Sequence, residues 1–572
     1  MNNSLRSRRN FLELTGLSLS GAVGGLWSGA AGAAVVGRNP DYVVVNAKIY
    51  TVDDAMPRAE AFAVRDGRFM AVGGNDEVRA LVGPGTKTVD AAQNTIVPGF
   101  IDCHNHARGN VLLYDVLVGN PFEVEFVTID SIIGKLRERA AATPAGGWVE
   151  GYFFDDTKVK DNRQITAADL DKVSTAHPVA VHHRGGHTSY YNHKALELAG
   201  ITKDTPNPPG GTFDRDSSGN LNGRVTDRAK VVFRDVGTRP SYTPEEEARR
   251  SQDGLAHISS EFVRYGLTTV HHQGGDLFAL QQVRNRGDLK HRVSFEVSGN
   301  LLEAMIANGI RSGFGDDWIR LGATSEHTLD GSFSERTMAM STPYAGVTPP
   351  YSGNITETQD VLDAWMERVH RAGIQINCHA NGDVVIDSML TAFERVQRLF
   401  PVADARPKIT HCTLVNDDLL RRIKAAGAVP APFTSYAYYN SDKFHFYGEE
   451  LMQRCMAFRS FLDHGIPAAA GSDFSPGPFA PLMGMQGMVT RTGWNGETWG
   501  ANQRVSVAEA LKINTLNGAY AAHEEKIKGS ISPGKFADYV VLASDPHTVD
   551  PETIKDIRIV ETVTGGKSVY TA

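Results

Sequence analysis

The chain has 572 residues, of which 41% are hydrophobic and 22% are charged, with a formal net charge of −8. Length and composition indicate a soluble globular protein with room for one large barrel or for several domains of ordinary size. The charge provides no basic field for gripping phosphates, which argues weakly against nucleic acid as a partner and excludes no other binding class.

The first residues resemble a twin-arginine export signal. Ser7-Arg8-Arg9-Asn10-Phe11-Leu12 precedes a weakly apolar, glycine-rich stretch, and Ala31-Gly32-Ala33 offers a small-residue cleavage site. We therefore expect residues 1–34 to be a signal peptide and the mature protein to be exported, to the periplasm. An uncleaved membrane anchor is the alternative, but the glycines disfavour a stable spanning helix.

Both ends of the mature chain predict short β-strands. Residues 35–97 contain apolar runs with an Asp66-Gly67 turn between two of them, and residues 525–572 contain further strand-turn-strand patterns. We predict that these two segments pair into one small β-sandwich domain that flanks the middle of the chain.

The middle of the chain, residues 98–524, alternates apolar strand-like runs with helical stretches such as 243–265, 357–372 and 384–399. Sustained alternation of this kind predicts an α/β fold with parallel βα units, for which a TIM-like (β/α)8 barrel is the commonest closed form. The Pro- and Gly-rich stretch 206–220 is typical of an inserted loop or a lid over a barrel mouth.

Chemistry in such a barrel lies at the carboxyl ends of its strands. The candidate strands that carry these ends span residues 97–106, 179–183, 267–272, 319–327, 374–379, 408–411, 428–432 and 466–473. A histidine or a carboxylate ends nearly all of them. Imidazoles with one or two carboxylates suit zinc or a similar divalent ion, although polar strand ends in a sugar- or cation-binding barrel are an alternative.

The pair His104 and His106 begins this series. Because strand side chains alternate with period two, both imidazoles lie on one face and can bind one metal ion. Cys103, Cys378 and Cys412 each adjoin a histidine, so their thiols are predicted to face outwards and to be small buried apolar groups. We therefore expect no disulfides and no thiol nucleophile.

Several longer motifs resemble those of the amidohydrolase superfamily, in the branch called amidohydrolase family 3. The resemblance runs through nearly the whole mature chain, and the motifs that carry it span residues 98–106, 186–196, 208–211, 330–332, 379–383, 471–473 and 529–538. It implies a barrel with a β-sandwich side domain and a centre of one or two divalent metal ions, zinc by preference.

The resemblance also assigns ligands. His104 and His106 match the ligands of the first strand, His379 and His411 those of strands five and six, and Asp473 the aspartate of strand eight. The family usually has a carboxylated lysine four residues before Asp-Gly-Ser, and this chain has Glu326 there. A glutamate supplies a bridging carboxylate without modification, so Glu326 is the expected bridging ligand.

The resemblance implies hydrolysis of a carbon–nitrogen bond, in a non-peptide amide or a formamide. A divalent ion lowers the pKa of bound water, and Asp473 would serve as general acid and base. His187, one of His182 or His183, and Arg336 are further candidates for holding a carbonyl oxygen or a substrate anion, and a structural hydrogen bond is the alternative for each. The pair His271 and His272 is left without a role.

Other activities remain open. The same metal site could support ester or lactone hydrolysis or deamination, and an exported binding protein without turnover is the alternative from another class. Gly-x-Ser-x-Gly, phosphate-loop and dinucleotide motifs are absent. The expected partner is a small molecule, aromatic or apolar if the aromatic cluster at 433–447 lines the pocket; the oligomeric state stays open, a homo-oligomer included.

Overall fold

The computed structural model describes residues 39–572. The predicted signal peptide lies outside these residues. Within residues 39–572, no helix combines the length and the apolar character that crossing a membrane requires. The described part of the chain is an α/β structure.

Strands from the two ends of the chain meet in one sheet. Tyr539–Leu542 pairs antiparallel with Thr95–Pro98, which pairs parallel with Lys48–Tyr50. The strands of this six-stranded sheet are, in order, Lys567–Thr571, Ile559–Thr564, Tyr539–Leu542, Thr95–Pro98, Lys48–Tyr50 and Arg58–Ala59. A four-stranded sheet near it has the order Arg68–Gly73, Ala61–Arg65, Tyr42–Val45 and Lys87–Asp90.

Two four-stranded parallel sheets occupy the middle of the chain. The first has the order Ile319–Thr324, Arg292–Val297, Leu267–Gln273 and Phe100–Asn105. The second has the order His327–Thr328, Asn377–Ala380, Lys408–His411 and Val429–Ala431. Most of these strands are buried along their whole length, as expected of parallel strands that are covered on both faces.

Hydrogen bonds link these two sheets on both sides. On one side, Thr324 N donates to Gln375 O over 2.8 Å. On the other side, the extended segment 469–473 lies between the sheets: Cys103 N donates to Ala470 O over 2.7 Å, and Ala469 N donates to Pro430 O over 2.9 Å. The carboxyl ends of Phe100–Asn105, Ile319–Thr324, Asn377–Ala380 and Lys408–His411 therefore lie at the same edge of the sheets as segment 469–473.

The prediction for residues 179–183 was wrong about their sheet. Val179–His183 pairs with Val149–Phe154 and with Thr188–Tyr191, in a separate sheet. Its strands are, in order, Phe213–Arg215, Leu221–Thr226, Thr188–Tyr191, Val179–His183, Val149–Phe154 and Val116–Leu117. The place between Leu267–Gln273 and Ile319–Thr324 belongs to Arg292–Val297, which the sequence analysis missed.

Helices cover the outside of the parallel sheets. Those of eight residues or more are Ile129–Ala142, Pro244–Arg264, Leu277–Asn285, Gly299–Asn308, Gln359–Arg371, Asp383–Leu399, Asp417–Ala426 and Pro481–Thr490. The shorter α-helices are Asn75–Arg79, Gly109–Tyr114, Ala167–Asp171, His193–Leu198, Tyr436–Tyr439, Gly448–Met452, Phe458–Asp463, Val507–Ile513 and Leu516–Ala521, and 3-10 turns span Asp227–Phe233, Ser441–Phe446, Ala501–Gln503 and Pro551–Asp556.

The three predicted helices form within two residues of their expected bounds, and local chemistry explains the clearest of them. At the start of Pro244–Arg264, Thr243 Oγ1 accepts from Glu246 N, and Glu246 Oε2 accepts from Thr243 N. Proline at the first helical position and three glutamates in the first turn suit a helix N-terminus. The helix buries one face, which includes Ile258 and Phe262, against the sheet.

All four cysteines are free and buried, as the sequence predicts. Cys103 Sγ lies 3.8 Å from Gly518 O, on the side of the strand that faces helix Leu516–Ala521. Burial raises the pKa of the Cys103 and Cys378 thiols well above their usual value. Thiols in this state are packing groups rather than nucleophiles.

A buried ion pair fastens the parallel sheet to the C-terminal strands. Arg292 donates to both carboxylate oxygens of Asp538 over 2.7 and 3.0 Å, and its guanidinium stacks over Phe536 at 3.8 Å. Arg292 is 3% and Asp538 6% exposed. Removing one partner would leave an uncompensated buried charge.

We predict that Arg292→Met lowers the free energy of unfolding by about 3–5 kcal/mol, measured by urea unfolding with the same excess of zinc for each protein. The double variant Arg292→Met/Asp538→Asn should recover part of this loss. Arg421→Met is the control, because Arg421 pairs with Asp418 at the surface, where the side chains are 66% and 61% exposed; it should change stability by less than about 1 kcal/mol. Equal effects of the two single variants would contradict the prediction.

Candidate metal centre

The first two candidate ligands sit where Phe100–Asn105 ends. Asp102 fixes the local backbone: its carboxylate accepts from His104 N over 3.1 Å and from Asn105 Nδ2 over 3.0 Å. The same carboxylate accepts from the backbone N and the hydroxyl of Ser472 over 3.0 and 2.6 Å. Asp102 thereby ties the segment that carries His104 and His106 to the segment that carries Asp473.

Six side chains from five segments converge at this edge, namely those predicted from the sequence: His104, His106, Glu326, His379, His411 and Asp473 (the six-residue cluster). Glu326 lies at its middle. Its Oε2 is 3.3 Å from His104 Nε2, 3.3 Å from His379 Nδ1 and 3.4 Å from His411 Nε2, and its Oε1 is 3.5 Å from His106 Nε2. One carboxylate thus faces all four imidazoles.

Asp473 closes the other side of the cluster. Its Oδ1 lies 3.2 Å from His104 Nε2 and 3.0 Å from His106 Nε2, and its Oδ2 lies 4.0 Å from His411 Nε2. Asp473 and His411 both adopt left-handed backbone, with φ of 53° and 74°. Non-glycine residues rarely adopt this conformation, which is found at sites where surrounding structure imposes it.

Neighbouring groups set the orientation of His379 and His411. His379 Nε2 lies 3.1 Å from Gly331 O and 3.5 Å from Asp330 Oδ1, so its Nδ1 faces Glu326. Asp330 is fixed in turn by the backbone N–H groups of residues 339, 381 and 382. The His411 ring stacks on Phe433, with centroids 4.3 Å apart. Partners of this kind fix the ring orientation of metal ligands.

The charges of the cluster shift the pKa values of its members. Burial opposes protonation of His104 and His379, but the Glu326 carboxylate, joined by Asp473 at His104, raises their pKa values to about 10 and about 9. Burial and the neighbouring His379 lower the pKa of His411 to about 3. Burial alone would raise the pKa values of Glu326 and Asp473, but the imidazoles hold both well below the usual range. Two ionised carboxylates therefore attract positive charge to this point.

The residues present fit a divalent metal ion. Three groups within the cluster each offer ligand atoms that lie within 4.8 Å of one another: His104 with His411 and Asp473, His104 with His106 and Glu326, and Glu326 with His379 and His411. His104 Nε2 and Glu326 Oε2 are buried and make no hydrogen bond, although they lie 3.3 Å apart. Nitrogen and oxygen donors that converge without bonding to each other suit a shared cation such as zinc.

Of the further candidates, the structure places His187 next to the cluster. Its ring centroid is 5.1 Å from that of His379, its Nδ1 lies 2.7 Å from Asp227 Oδ1, and its backbone N donates to Glu335 over 3.1 Å. Asp227 is a partner that the sequence analysis missed, and no motif in its neighbourhood pointed to it.

Arg336 is not in contact with the six-residue cluster in the described structure. It pairs with Asp156 and lies over the Phe446 ring at 4.5 Å, in the wall of a cavity. Of the adjacent histidines, His182 is bound to Ser189 and Glu150, which makes it a structural residue. His183 lies between Asp156 and Glu335, at 3.3 and 3.5 Å.

His271 and His272 are buried neutral histidines. Burial lowers the pKa of both, to about 3 for His272, whose Nε2 lies 2.9 Å from His291 Nε2. Two further residues behind the cluster were missed: Glu296 Oε2 lies 3.9 Å from His104 Nδ1, and Lys408 pairs with Glu296. Recognising Arg292–Val297 as a strand would have put Glu296 near a strand end.

We predict that metal affinity rises with pH. Below about pH 9 the metal-free protein carries protons on His104 and His379, and an imidazole must be neutral to bind a metal ion. The dissociation constant should therefore fall by about tenfold per pH unit for each displaced proton, measured with a competing chelator between about pH 6.5 and 8.5. The slope should flatten above pH 10, where both rings are already neutral.

Glu326→Gln should flatten this slope, because it removes the carboxylate that raises both pKa values. His193→Gln is the matched control, since His193 is an exposed surface residue paired with Asp171. An affinity that does not change with pH in the wild-type protein would contradict the prediction.

The chain is similar to a protein family and to several known proteins. Residues 87–570 match the model of the Amidohydrolase family. The N-substituted formamide deformylase of Arthrobacter pascens is 26% identical over 547 residues, which cover 93% of this chain and 98% of that protein.

Two solved structures share the fold, both described as uncharacterized metal-dependent hydrolases. The one from Pyrococcus horikoshii has a TM-score of 0.68 at 20% identity and covers 89% of this chain and 99% of its own. The one from Pyrococcus furiosus has a TM-score of 0.66 at 22% identity and covers 89% of this chain and 100% of its own. With a family model that spans most of its length, the chain belongs to the amidohydrolase family and is a metal-dependent hydrolase.

Proposed function

We propose that the protein hydrolyses a non-peptide amide, with a formamide as the first candidate, at the six-residue cluster. The observation that carries this proposal is the convergence of four imidazoles and two carboxylates in overlapping groups of three, within which the ligand atoms lie within 4.8 Å of one another. The similarity to an N-substituted formamide deformylase supports the choice of bond. Ester or lactone hydrolysis and deamination at the same centre are the alternatives.

Four histidines and the two carboxylates of Glu326 and Asp473 would hold the metal. Zinc is the expected ion, because imidazole and carboxylate donors suit it. Such an ion supplies an activated water and polarises the substrate carbonyl. Glu326 Oε1 faces His106, and Glu326 Oε2 faces His104, His379 and His411. This arrangement supports a role in which Glu326 would be shared between two ions.

Asp473 is the proposed general base and acid. The neighbouring imidazoles hold its pKa well below the usual range, so it is ionised when substrate binds and can accept a proton from the attacking water. It then donates that proton to the departing nitrogen. Hydrogen bonding of the adjacent Ser472 to Asp102 keeps its segment in place.

His187 is the proposed donor to the substrate carbonyl oxygen. Its Nδ1 is engaged by Asp227 at 2.7 Å, which leaves Nε2 to face the substrate near His379. A donor placed at the developing oxyanion stabilises the transition state. Arg336 stands further away, in the cavity wall, where it would meet the remote part of a substrate.

The shape of a neighbouring cavity supports an apolar or aromatic substrate. The cavity has a volume of about 500 Å³ and is lined by Tyr344, Tyr351, Phe446 and Arg336. Tyr344 and Tyr351 stack, with centroids 5.6 Å apart. Two residues of its wall relate it to His187: Glu335 accepts from His187 N, and Thr226 directly precedes Asp227, the partner of the His187 ring. Of the aromatic cluster predicted at 433–447, Phe433, Tyr436, Phe444 and Tyr447 are buried, and Phe446 lines the cavity.

The test is a screen of formamides, amides and esters with metal analysis of each variant. Asp473→Asn should keep at least one metal and lose about 10²–10⁴-fold in kcat, the usual contribution of a positioned acid and base. Glu326→Gln should bind metal more weakly and lose turnover. Wild-type protein that contains metal and hydrolyses no carbon–nitrogen bond, while hydrolysing esters, would refute the amide assignment; release of ammonia would indicate deamination.

The proposal extends to architecture and location. We propose that the two parallel sheets and segment 469–473 form one closed eight-stranded barrel, in which Ile319–Thr324 and His327–Thr328 count as one strand, flanked by a β-sandwich from residues 35–97 and 525–572. The hydrogen bonds on both sides of the sheets and the shared cluster of Val44, Phe62, Ile96 and Tyr539 support this arrangement.

We also propose export through a twin-arginine signal, on the basis of Arg8-Arg9 and the stretch that follows. Arg8→Lys/Arg9→Lys should keep the protein in the cytoplasm with residues 1–34 uncleaved, whereas the wild type should begin near Ala34 and be found outside it. N-terminal sequencing of fractionated cells distinguishes the two. Equal export of both proteins would refute this route.

A further inference from the structure

A second, smaller cavity is lined in part by residues that follow the metal-ligand candidates closely in the sequence. Its volume is about 240 Å³, and the charged groups in its wall are Arg108, Arg184, Lys230, His182, His183 and Glu150. Three cationic side chains thus face one small cavity.

The position of the cavity relates it to the metal centre. Arg108 follows His106 by two residues, and Ser475, also in the wall, follows Asp473 by two. Gly186 in the wall directly precedes His187. Asn105 and Phe474 are paired between these two segments. A substrate whose carbonyl lies at the cluster can therefore extend a short arm into this cavity.

Two of the cations have no carboxylate partner. Within residues 39–572, the Arg108 side chain makes no hydrogen bond or ion pair, and only its backbone oxygen accepts, from Leu112 N. Arg184 is buried, and its guanidinium donates to Ser475 O, Asn120 O, Pro121 O and the Tyr439 hydroxyl, all of which are neutral. Burying a charge away from water is costly unless an opposite charge is supplied.

Lys230 faces the same space. Its ammonium donates to Gly186 O. Burial lowers its pKa, and the nearby Glu335 and Asp227 carboxylates oppose this shift only in part, because Arg108 and Arg234 act in the same direction as burial. An anion bound between Arg108 and Lys230 would stabilise the protonated form of Lys230, which burial and the nearby arginines destabilise.

The carboxylate in the wall is already committed to other partners. Glu150 Oε1 lies 3.1 Å from His182 Nε2, and Glu150 Oε2 accepts from Arg239 over 2.7 Å. Burial alone would raise the pKa of Glu150, but these two partners lower it to about 2. His183 is likewise engaged, by Asp156 and Glu335. The charge of Arg108 is therefore left for a ligand.

We propose that Arg108 and Lys230 bind a carboxylate of the substrate, so that the preferred substrate is an amide with a carboxylate a few bonds from the scissile bond. The inference rests on the proposed function and specifies its substrate class. A guanidinium pairs with a carboxylate through two parallel hydrogen bonds, and the small volume suits a carboxylate on a short linker. The apolar part of the substrate would occupy the larger cavity lined by Tyr344 and Tyr351.

The test compares N-formylglycine with N-formylglycinamide, which replaces the carboxylate by a neutral amide of similar shape. Binding is measured by calorimetry in metal-loaded Asp473→Asn protein, so that the readout does not depend on turnover. We expect N-formylglycine to bind more tightly, and expect Arg108→Met and Lys230→Met, which keep an apolar stem, to reduce this preference by about tenfold or more each.

Arg228→Met is the matched control. Arg228 is exposed, lies two residues from Lys230 and is not part of the cavity wall. The substitution therefore removes one positive charge near the site without changing a residue that lines it. It should leave the preference within about twofold. Metal content of each variant is measured alongside, because a carboxylate can also bind to the metal.

Three outcomes overturn the proposal: equal binding of the two compounds, an unchanged preference in Arg108→Met and Lys230→Met, or no binding of N-formylglycine. Failure of the proposed function has a different signature. In that case wild-type protein hydrolyses no amide, whereas the charge preference in binding and its loss in the two variants still appear.

Discussion

The constraint on which the rest of the structure depends is the placement of two ionised carboxylates, Glu326 and Asp473, among four imidazoles and away from water. Such carboxylates cannot be buried without a compensating cation. In the metal-free protein, protons on His104 and His379 provide that charge, and a divalent ion displaces them. The predicted pH dependence of metal binding and the low pKa of Asp473, the proposed general base, follow from this one electrostatic arrangement.

The surrounding structure serves to hold these charges in place. Asp102 joins the segments that carry His104 and Asp473, and Asp330 supports His379. Left-handed backbone at His411 and Asp473 is tolerated because hydrogen bonds on both sides of their segments impose it. The neighbours of His187 line two cavities of different character: Gly186 and Thr188 line the basic one, and Glu335, which accepts from His187 N, lines the aromatic one. We therefore propose that the two parts of a substrate are recognised in different cavities.

Much of the fold was predictable, and its main error has a physical cause. The helices at 244–264, 359–371 and 383–399 follow from apolar periodicity, and the first also from its capping box at Thr243. The run Val179–His183 has the same apolar character as a barrel strand, yet it pairs with Val149–Phe154 and Thr188–Tyr191. Apolar runs report burial rather than partners, so Arg292–Val297, with an arginine and a glutamate in it, was passed over.

The sequence by itself determined which residue types can form the centre and the order in which they occur, because histidines and carboxylates at strand ends are local features. Only the tertiary structure decided that Glu326 faces all four imidazoles, that Asp227 holds His187, and that Arg108 and Lys230 face one cavity. These relationships join atoms from segments up to several hundred residues apart, and they depend on strand pairing and side-chain direction, which no local pattern specifies.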